Sequence, residues 1–165
     1  MTETTRHRVA ASVVVRGRGG KILLVREADP RVRGALNLPG GHVDRGETLT
    51  DCARRELHEE TGLSLSLLGL LGVYVQGIGV HFVFLARSTT TDTTPGDDIL
   101  SCEWLAPEEI ATLPDGQFLR PKKLRAIIGD LLTDHTYPIE LIHQLDREAW
   151  EKTRGGTGKS HPAQE

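Results

Sequence analysis

The tightest constraint on this chain is a run from Thr48 to Thr61 that holds neither glycine nor proline and stops at Gly62. It predicts one helix, with Thr48 as N-cap, Asp51 three residues on, and Gly62 as the terminator. Inside it, Glu56, Glu59 and Glu60 fall at i, i+3 and i+4, so their carboxylates share a face. At about 100° per residue that face also carries Leu49, Cys52 and Ala53, with Leu57 at its border; Asp51, Arg54 and His58 point the other way. The acids therefore continue an apolar, core-facing stripe. Crowded carboxylates in such a place repel one another and are poorly solvated unless cations neutralise them. A hard divalent ion meets that need: Mg²⁺ takes oxygen ligands and keeps waters, and Mn²⁺ suits the same donors. The competing reading of a bare Glu-x-x-Glu-Glu is a solvated helix with surface i,i+4 pairs.

Around the helix the patterning alternates. Residues 8–15 and Lys21–Arg26 read as the strands of a hairpin about a turn at Arg16–Gly20. A loop over 28–36 leads to a sharp turn at Leu38-Pro39-Gly40-Gly41. Leu65–Gln76, Val80–Arg87 and Ile99–Leu105 read as strands, with a polar loop over Ser88–Asp98. Pro107–Leu113 predicts a short helix with proline in its first turn, and 121–132 and 139–151 predict two more. Strands surrounding a central helix, with further helices after them, imply an α/β sandwich with a mixed sheet. Residues 1–152 form one expected domain and 153–165 a flexible polar tail.

The net charge of -3 and the 165-residue length fit a globular domain with no nucleic-acid polymer as partner. Apolar runs such as Val13–Val15 are too short to span a bilayer, and the N-terminal residues lack the apolar h-region expected of a secretory signal. Cys52 and Cys102 lack metal-site spacing and read as reduced thiols, so the expected location is cytoplasmic. Thr153–Ser160 nearly spells a phosphate-binding loop, but Thr153 stands where glycine is required and too few residues follow to form the helix; the segment is read as tail.

From Gly41 to Leu63 the chain matches G-x₅-E-x₇-R-E-U-x-E-E-x-G-U, with U aliphatic, at Gly41, Glu47, Arg55, Glu56, Leu57, Glu59, Glu60, Gly62 and Leu63. This resembles the Nudix box of the MutT-like Nudix hydrolases. The resemblance implies a Nudix-type α/β/α sandwich and Mg²⁺-dependent hydrolysis of a pyrophosphate bond in a small phosphorylated substrate. It implies metal ligation by Glu56, Glu59, Glu60 and the Gly40 carbonyl. Glu59 takes a shared role as ligand and base, and Arg55 organises the array by pairing with Glu47 or a neighbouring acid. Some family members use a distal acid, for which Asp98 is the first candidate and Asp97 the second. His42 and Arg26 are candidates for phosphate contact, against a plain surface role; His81, Phe82 and Trp104 are read as structural.

Related enzymes specific for ADP-ribose often carry a proline, and those for dinucleoside polyphosphates a tyrosine, where this chain has Gly79 and Val80; both substrates are disfavoured. Leu36 replaces a frequent tryptophan. The segments 97–104, 118–121 and 137–141 resemble a phosphatase-like subgroup acting on nucleoside di- and triphosphates and on thiamine-precursor pyrophosphates. Two other functions compete with a hydrolase: a catalytically silent module sensing a nucleotide or protein, and an isomerase, for which no extra catalytic Cys and His are evident. A homodimer is compatible with the family.

Overall fold

The structure is a computed structural model that describes residues 7–143. Its seven strands are β1 (Arg8–Arg16), β2 (Ile22–Glu27), β3 (Leu36–Asn37), β4 (Gly40–His42), β5 (Leu67–Gln76), β6 (Gly79–Arg87) and β7 (Ile99–Leu105). The helices are α1 (Leu49–Thr61), α2 (Pro107–Thr112) and α3 (Pro121–Leu132). The β1–β2 hairpin has Arg16 opposite Ile22 as its one registered pair, and then the strands part. β4 takes up the freed edge of β1, with Ser12 opposite Gly40 and Ala10 opposite His42. β2 pairs instead with β3 and, along its length, with β7. On its other edge β1 runs parallel to β6, from Arg8 opposite Gly79 to Arg16 opposite Arg87, and β5 adds antiparallel beyond it. The sheet is mixed, as expected.

Strand alternation sorts the core into two layers. Ala11, Val13, Val15, Leu23, Phe84 and Ala86 pack with Cys52, Ala53 and Leu57 of α1. Val14, Ile22, Leu24, Val83 and Leu85 pack with Leu124, Ile127, Ile128 and Leu131 of α3. β1 is thus buried on both faces, which is why its sequence is an unbroken apolar run and not an alternating one. Each fully buried Leu or Val contributes about 2 kcal/mol of transfer free energy. The result is the α/β/α sandwich implied by the sequence. Among the described residues, no helix is long and apolar enough to cross a membrane.

Helix α1 is capped as anticipated. Thr48 Oγ1 accepts from the Asp51 N–H at 3.1 Å, and Gly62 adopts φ 73°, a left-handed value that suits glycine. The expected helix over 139–151 does not form at its start. Ile139–Leu141 is a 3-10 turn, and Ile142 and His143 are not helical. The cause lies just upstream: Tyr137 exchanges two 2.8 Å backbone hydrogen bonds with Leu70, which holds the chain extended into Pro138. The rest of that segment, and the expected tail over 153–165, lie outside the described residues. β5 begins two residues later than expected, and β2 reaches Glu27, one residue further than the sequence pattern suggested.

Candidate active site

Where β1 and β2 part, the Gly40–His42 turn, α1 and the end of the 88–98 loop enclose a cavity of about 700 Å³. Its walls include Glu27, Gly40, Gly41, Glu56, Glu60 and Asp98. Two glycines make the close packing feasible. A side chain at Gly41 would land on the Glu56 carboxylate, and one at Gly40 would strike Ser12 and the Ala11 carbonyl. The 88–98 loop is tied down by the Thr94 N–H donating to the Thr61 carbonyl at 2.8 Å and the Gly96 N–H donating to Glu60 O at 3.3 Å. Asp98 is fixed to β2 through the Ala28 N–H, which donates to its carbonyl at 2.9 Å.

Arg55 is the hub of the acid array. Its Nε and Nη2 grip Glu47 in a fork at 2.7 and 3.0 Å, and its Nη1 reaches Glu56 at 2.8 Å and Glu59 at 3.0 Å. Nη2 also donates to the His42 carbonyl at 3.3 Å. The fork matches the planar geometry of a carboxylate. It holds the Glu47 carboxyl at about 2, well below its usual range, and the same acids push the guanidinium upward.

Glu60 stands in the opposite condition. Burial, reinforced by the charges of Glu27, Glu56 and Asp98, raises its carboxyl to about 8, although the Gly40 N–H donates to it at 3.0 Å and works against that rise. Burial also raises Glu56, while Arg55 restrains it. Arg55 answers Glu56, but Glu27, Glu60 and Asp98, which line the same cavity, form no ion pair among the described residues. Such a set of acids has the chemistry to hold a cation.

The three helix acids do not share one environment. The buried arc of α1 runs through Cys52, Ala53, Leu57 and Thr61. At about 100° per residue Glu60 and Glu56 both lie inside that arc, and Glu59 falls just outside it, beyond Cys52. Side-chain exposure follows: 15% for Glu56 but 57% for Glu59. The expectation that all three turn inward is corrected for Glu59, which stands at the rim on Arg55.

His42 and Asp98 face the cavity, as does Gly40. Arg26 does not. Its guanidinium pairs with Glu103 and donates to the Gly34 carbonyl at 2.8 Å, lining a separate groove. Strand parity explains this, since Arg26 shares its face with Ile22 and Leu24, and Glu27 shares its face with Leu23. Glu27 is the site acid that the sequence reading missed. Leu36 is fully buried in the α3 layer, while its neighbour Asn37 donates to Glu27 Oε1 at 2.9 Å. Trp104 packs beside the α1 layer with its indole N–H on the Thr91 carbonyl at 3.0 Å, and Phe82 packs there too.

Among the described residues, no three His, Cys, Asp or Glu side chains already form a closed metal cage. The donor set nevertheless fits a hard divalent ion: it is all oxygen, it is under-neutralised, and it opens to solvent on one side. Mg²⁺ is commonly held by one or two carboxylates, with waters and substrate phosphates completing its shell, so a closed cage is not required.

A second cavity of about 420 Å³ adjoins the first and shares Glu27, Gly40, Gly41 and His42 with it. Its other walls bring Arg8, His81, Arg120 and Lys123 together from β1, β6 and the start of α3. His81, read from sequence as structural, faces this space.

A mixed-sheet sandwich with a glycine turn and a helix-borne acid cavity is shared with proteins of known kind. A family model of the NUDIX domain matches residues 6–126, and the chain belongs to the Nudix hydrolase family. It is similar to Phosphatase NudJ of Escherichia coli, with 31% identity over 144 residues covering 82% of this chain and 89% of that one. A nudix hydrolase of Caenorhabditis elegans is 38% identical over 143 residues, 83% of this chain. The chain spans only 39% of that relative's length. Among solved structures, a NUDIX hydrolase from Nitrosomonas europaea superposes with TM-score 0.74 at 25% identity, over 86% of this chain and 99% of that one.

Proposed function

We propose that this protein hydrolyses a pyrophosphate bond in a nucleoside di- or triphosphate, or in a related small organic pyrophosphate, with Mg²⁺ as cofactor and Mn²⁺ able to replace it. The observation that carries this reading is the acid cavity, where Glu56, Glu60, Glu27 and Asp98 converge behind the Gly40–Gly41 turn. The similarity to Phosphatase NudJ supports the phosphatase-like branch of the family's chemistry.

Glu56, Glu60 and the Gly40 carbonyl would hold the ion. Bound there, it neutralises phosphoryl oxygens and acidifies a water. The chain's own residues supply the rest. Arg55 keeps Glu56 in place and anchors the Glu47 end of the loop. Gly41 admits the Glu56 carboxylate against the backbone. His42, between the two cavities, is placed to contact a phosphate oxygen. Asp98, on the cavity wall, is assigned the water's proton; Glu59 stands at the rim as the other acid for that task. A catalytically silent binding module is the competing function, and it gives no reason to keep this many poorly neutralised acids in one cavity.

The test is phosphate release from a panel of nucleotides and small organic pyrophosphates with and without Mg²⁺, run in ¹⁸O-water so that the labelled product identifies the attacked phosphorus. Wild type releases phosphate only with the metal, and Asp98→Asn lowers kcat by about 10² or more. A larger loss in Glu59→Gln than in Asp98→Asn moves the base to Glu59. Metal-independent release, or tight binding of a nucleotide with no turnover of any compound, rejects the reading.

A further inference from the structure

We propose that the second cavity is an anion subsite that binds a phosphate group of the substrate additional to the diphosphate at the acid cavity. The inference rests on the hydrolase reading and deepens it, because it names the substrate class: pyrophosphates carrying a further phosphate.

The argument begins with unmatched positive charge. Arg8, Arg120 and Lys123 line the cavity with His81, and among the described residues none of the three cations forms an ion pair with a carboxylate. Six arginines elsewhere, Arg16, Arg26, Arg31, Arg54, Arg55 and Arg125, meet an acid, while Arg18, Arg33, Arg45 and Arg87 form no ion pair among the described residues; what sets the cavity apart is that its unpaired cations converge on one space. Lys123 is the telling group. It is half-buried, and its Nζ lies 3.3 Å from Nδ1 of His81. An ammonium can only donate, so Nδ1 accepts and the neutral ring carries its proton on Nε2. Burial and the adjoining Arg120 charge bring the Lys123 ammonium down to about 8. Burial and the Lys123 charge bring the His81 imidazole down to about 4, which keeps that ring neutral. A half-buried ammonium beside a guanidinium, in ion-pair contact with no acid although Glu27 lines the same cavity, is costly in the free protein, and a bound phosphate relieves that cost.

Position supplies the second half of the argument. The Gly40–His42 turn forms a wall of both cavities, so one ligand can lie across it with its diphosphate among the acids and another phosphate among the cations. The further phosphate has two sources: the third phosphate of a triphosphate, or a phosphomonoester on the organic moiety. Either presents the oxygens that Lys123 and Arg120 are set to receive.

The experiment compares kcat/KM, with Mg²⁺, for a nucleoside 5′-diphosphate, its 5′-triphosphate, and the 5′-diphosphate bearing a 3′-phosphate. At least one extended substrate gains about tenfold or more over the plain diphosphate, chiefly through KM. That ratio falls to about one in Lys123→Met and is largely restored in Lys123→Arg. Arg120→Ala, at an exposed position, reduces it partway and covers the case in which Lys123→Met fails to fold. An advantage for the triphosphate assigns the chain phosphate; an advantage for the 3′-phosphate assigns the organic end. A parallel calorimetric titration of nucleoside 3′,5′-bisphosphate in EDTA reads the subsite without turnover, and there Lys123→Met weakens binding about tenfold or more. If nothing turns over yet that binding persists and depends on Lys123, the hydrolase reading has failed and the subsite stands. Equal kcat/KM for all three substrates, with no Lys123-dependent binding in EDTA, overturns the subsite.

Discussion

Two cavities meet at the Gly40–His42 turn, and they are assembled in opposite ways. The acid cavity draws most of its groups from one short stretch, Gly40 to Glu60, with Glu27 and Asp98 added from strand and loop ends. The basic cavity draws Arg8, His81, Arg120 and Lys123 from three elements that are far apart in the chain. Arg55 ties Glu47, Glu56 and Glu59 together, whereas Arg8, Arg120 and Lys123 form no ion pair among the described residues. Chemistry that must be the same in every relative is compact in sequence; recognition of a particular ligand is dispersed and can change one residue at a time.

Four substitutions probe this contrast, in descending order of effect. Glu56→Gln removes a charge at the centre of the acid cavity and is expected to cost about 10³-fold in kcat while leaving the fold intact. The check is steady-state kinetics beside circular dichroism; a loss below tenfold would place the working acids elsewhere. Gly41→Ala puts a methyl group where the Glu56 carboxylate lies, and displacing that carboxylate by about an ångström is expected to cost about 10²-fold. Unchanged kinetics in this variant would mean that the turn and helix give way without disturbing the site.

The third probe uses pH. Glu47 sits at about 2 in the fold against an ordinary 4.5, so its stabilising contribution is complete above 4.5 and is lost as pH falls towards 2. Glu60 sits at about 8 against 4.5, so its contribution is complete below 4.5 and is lost as pH rises through 8. In EDTA the protein is therefore expected to weaken between pH 5 and pH 8.5. Glu60→Gln should remove most of that decline, leaving the smaller part due to Glu56, and gain on the order of 2 kcal/mol at the alkaline end. Urea unfolding across the range is the measurement, and an alkaline profile that is the same in both proteins would contradict the account of Glu60. The smallest effect belongs to Arg26→Met. Loss of its Glu103 pair is expected to cost about 1 kcal/mol of stability and to leave kcat/KM within about twofold, because the side chain faces away from both cavities.

The contrast also explains what could be read from the sequence. The capped helix, the sandwich and most of the acid cavity follow from local rules: a glycine-free run, a cap, a terminator and acids at helical spacing. Two positions depart from the sequence pattern. Spacing alone turns Glu59 inward with its neighbours because it does not say where the buried arc is centred; Leu57 and Thr61 move that arc towards Glu60. Arg26 is a candidate from its place at the end of a strand, but strand parity puts it with Ile22 and Leu24, and Glu27, one residue on, turns to the acid cavity. The basic cavity had no comparable signal. Nothing near Lys123 or Arg120 in sequence announces His81 or Arg8, and only tertiary folding joins them.

The parallel pairing of β1 with β6 has a kinetic consequence. The first strand of the sheet must wait for a partner about 70 residues downstream, a high contact order that slows folding. On the ribosome β1, β4 and the acid-bearing helix emerge before β6 and the 88–98 loop, so the parallel edge of the sheet and Asp98 join the acid cavity later. The part of the protein that is easiest to recognise in sequence is thus completed among the last in space.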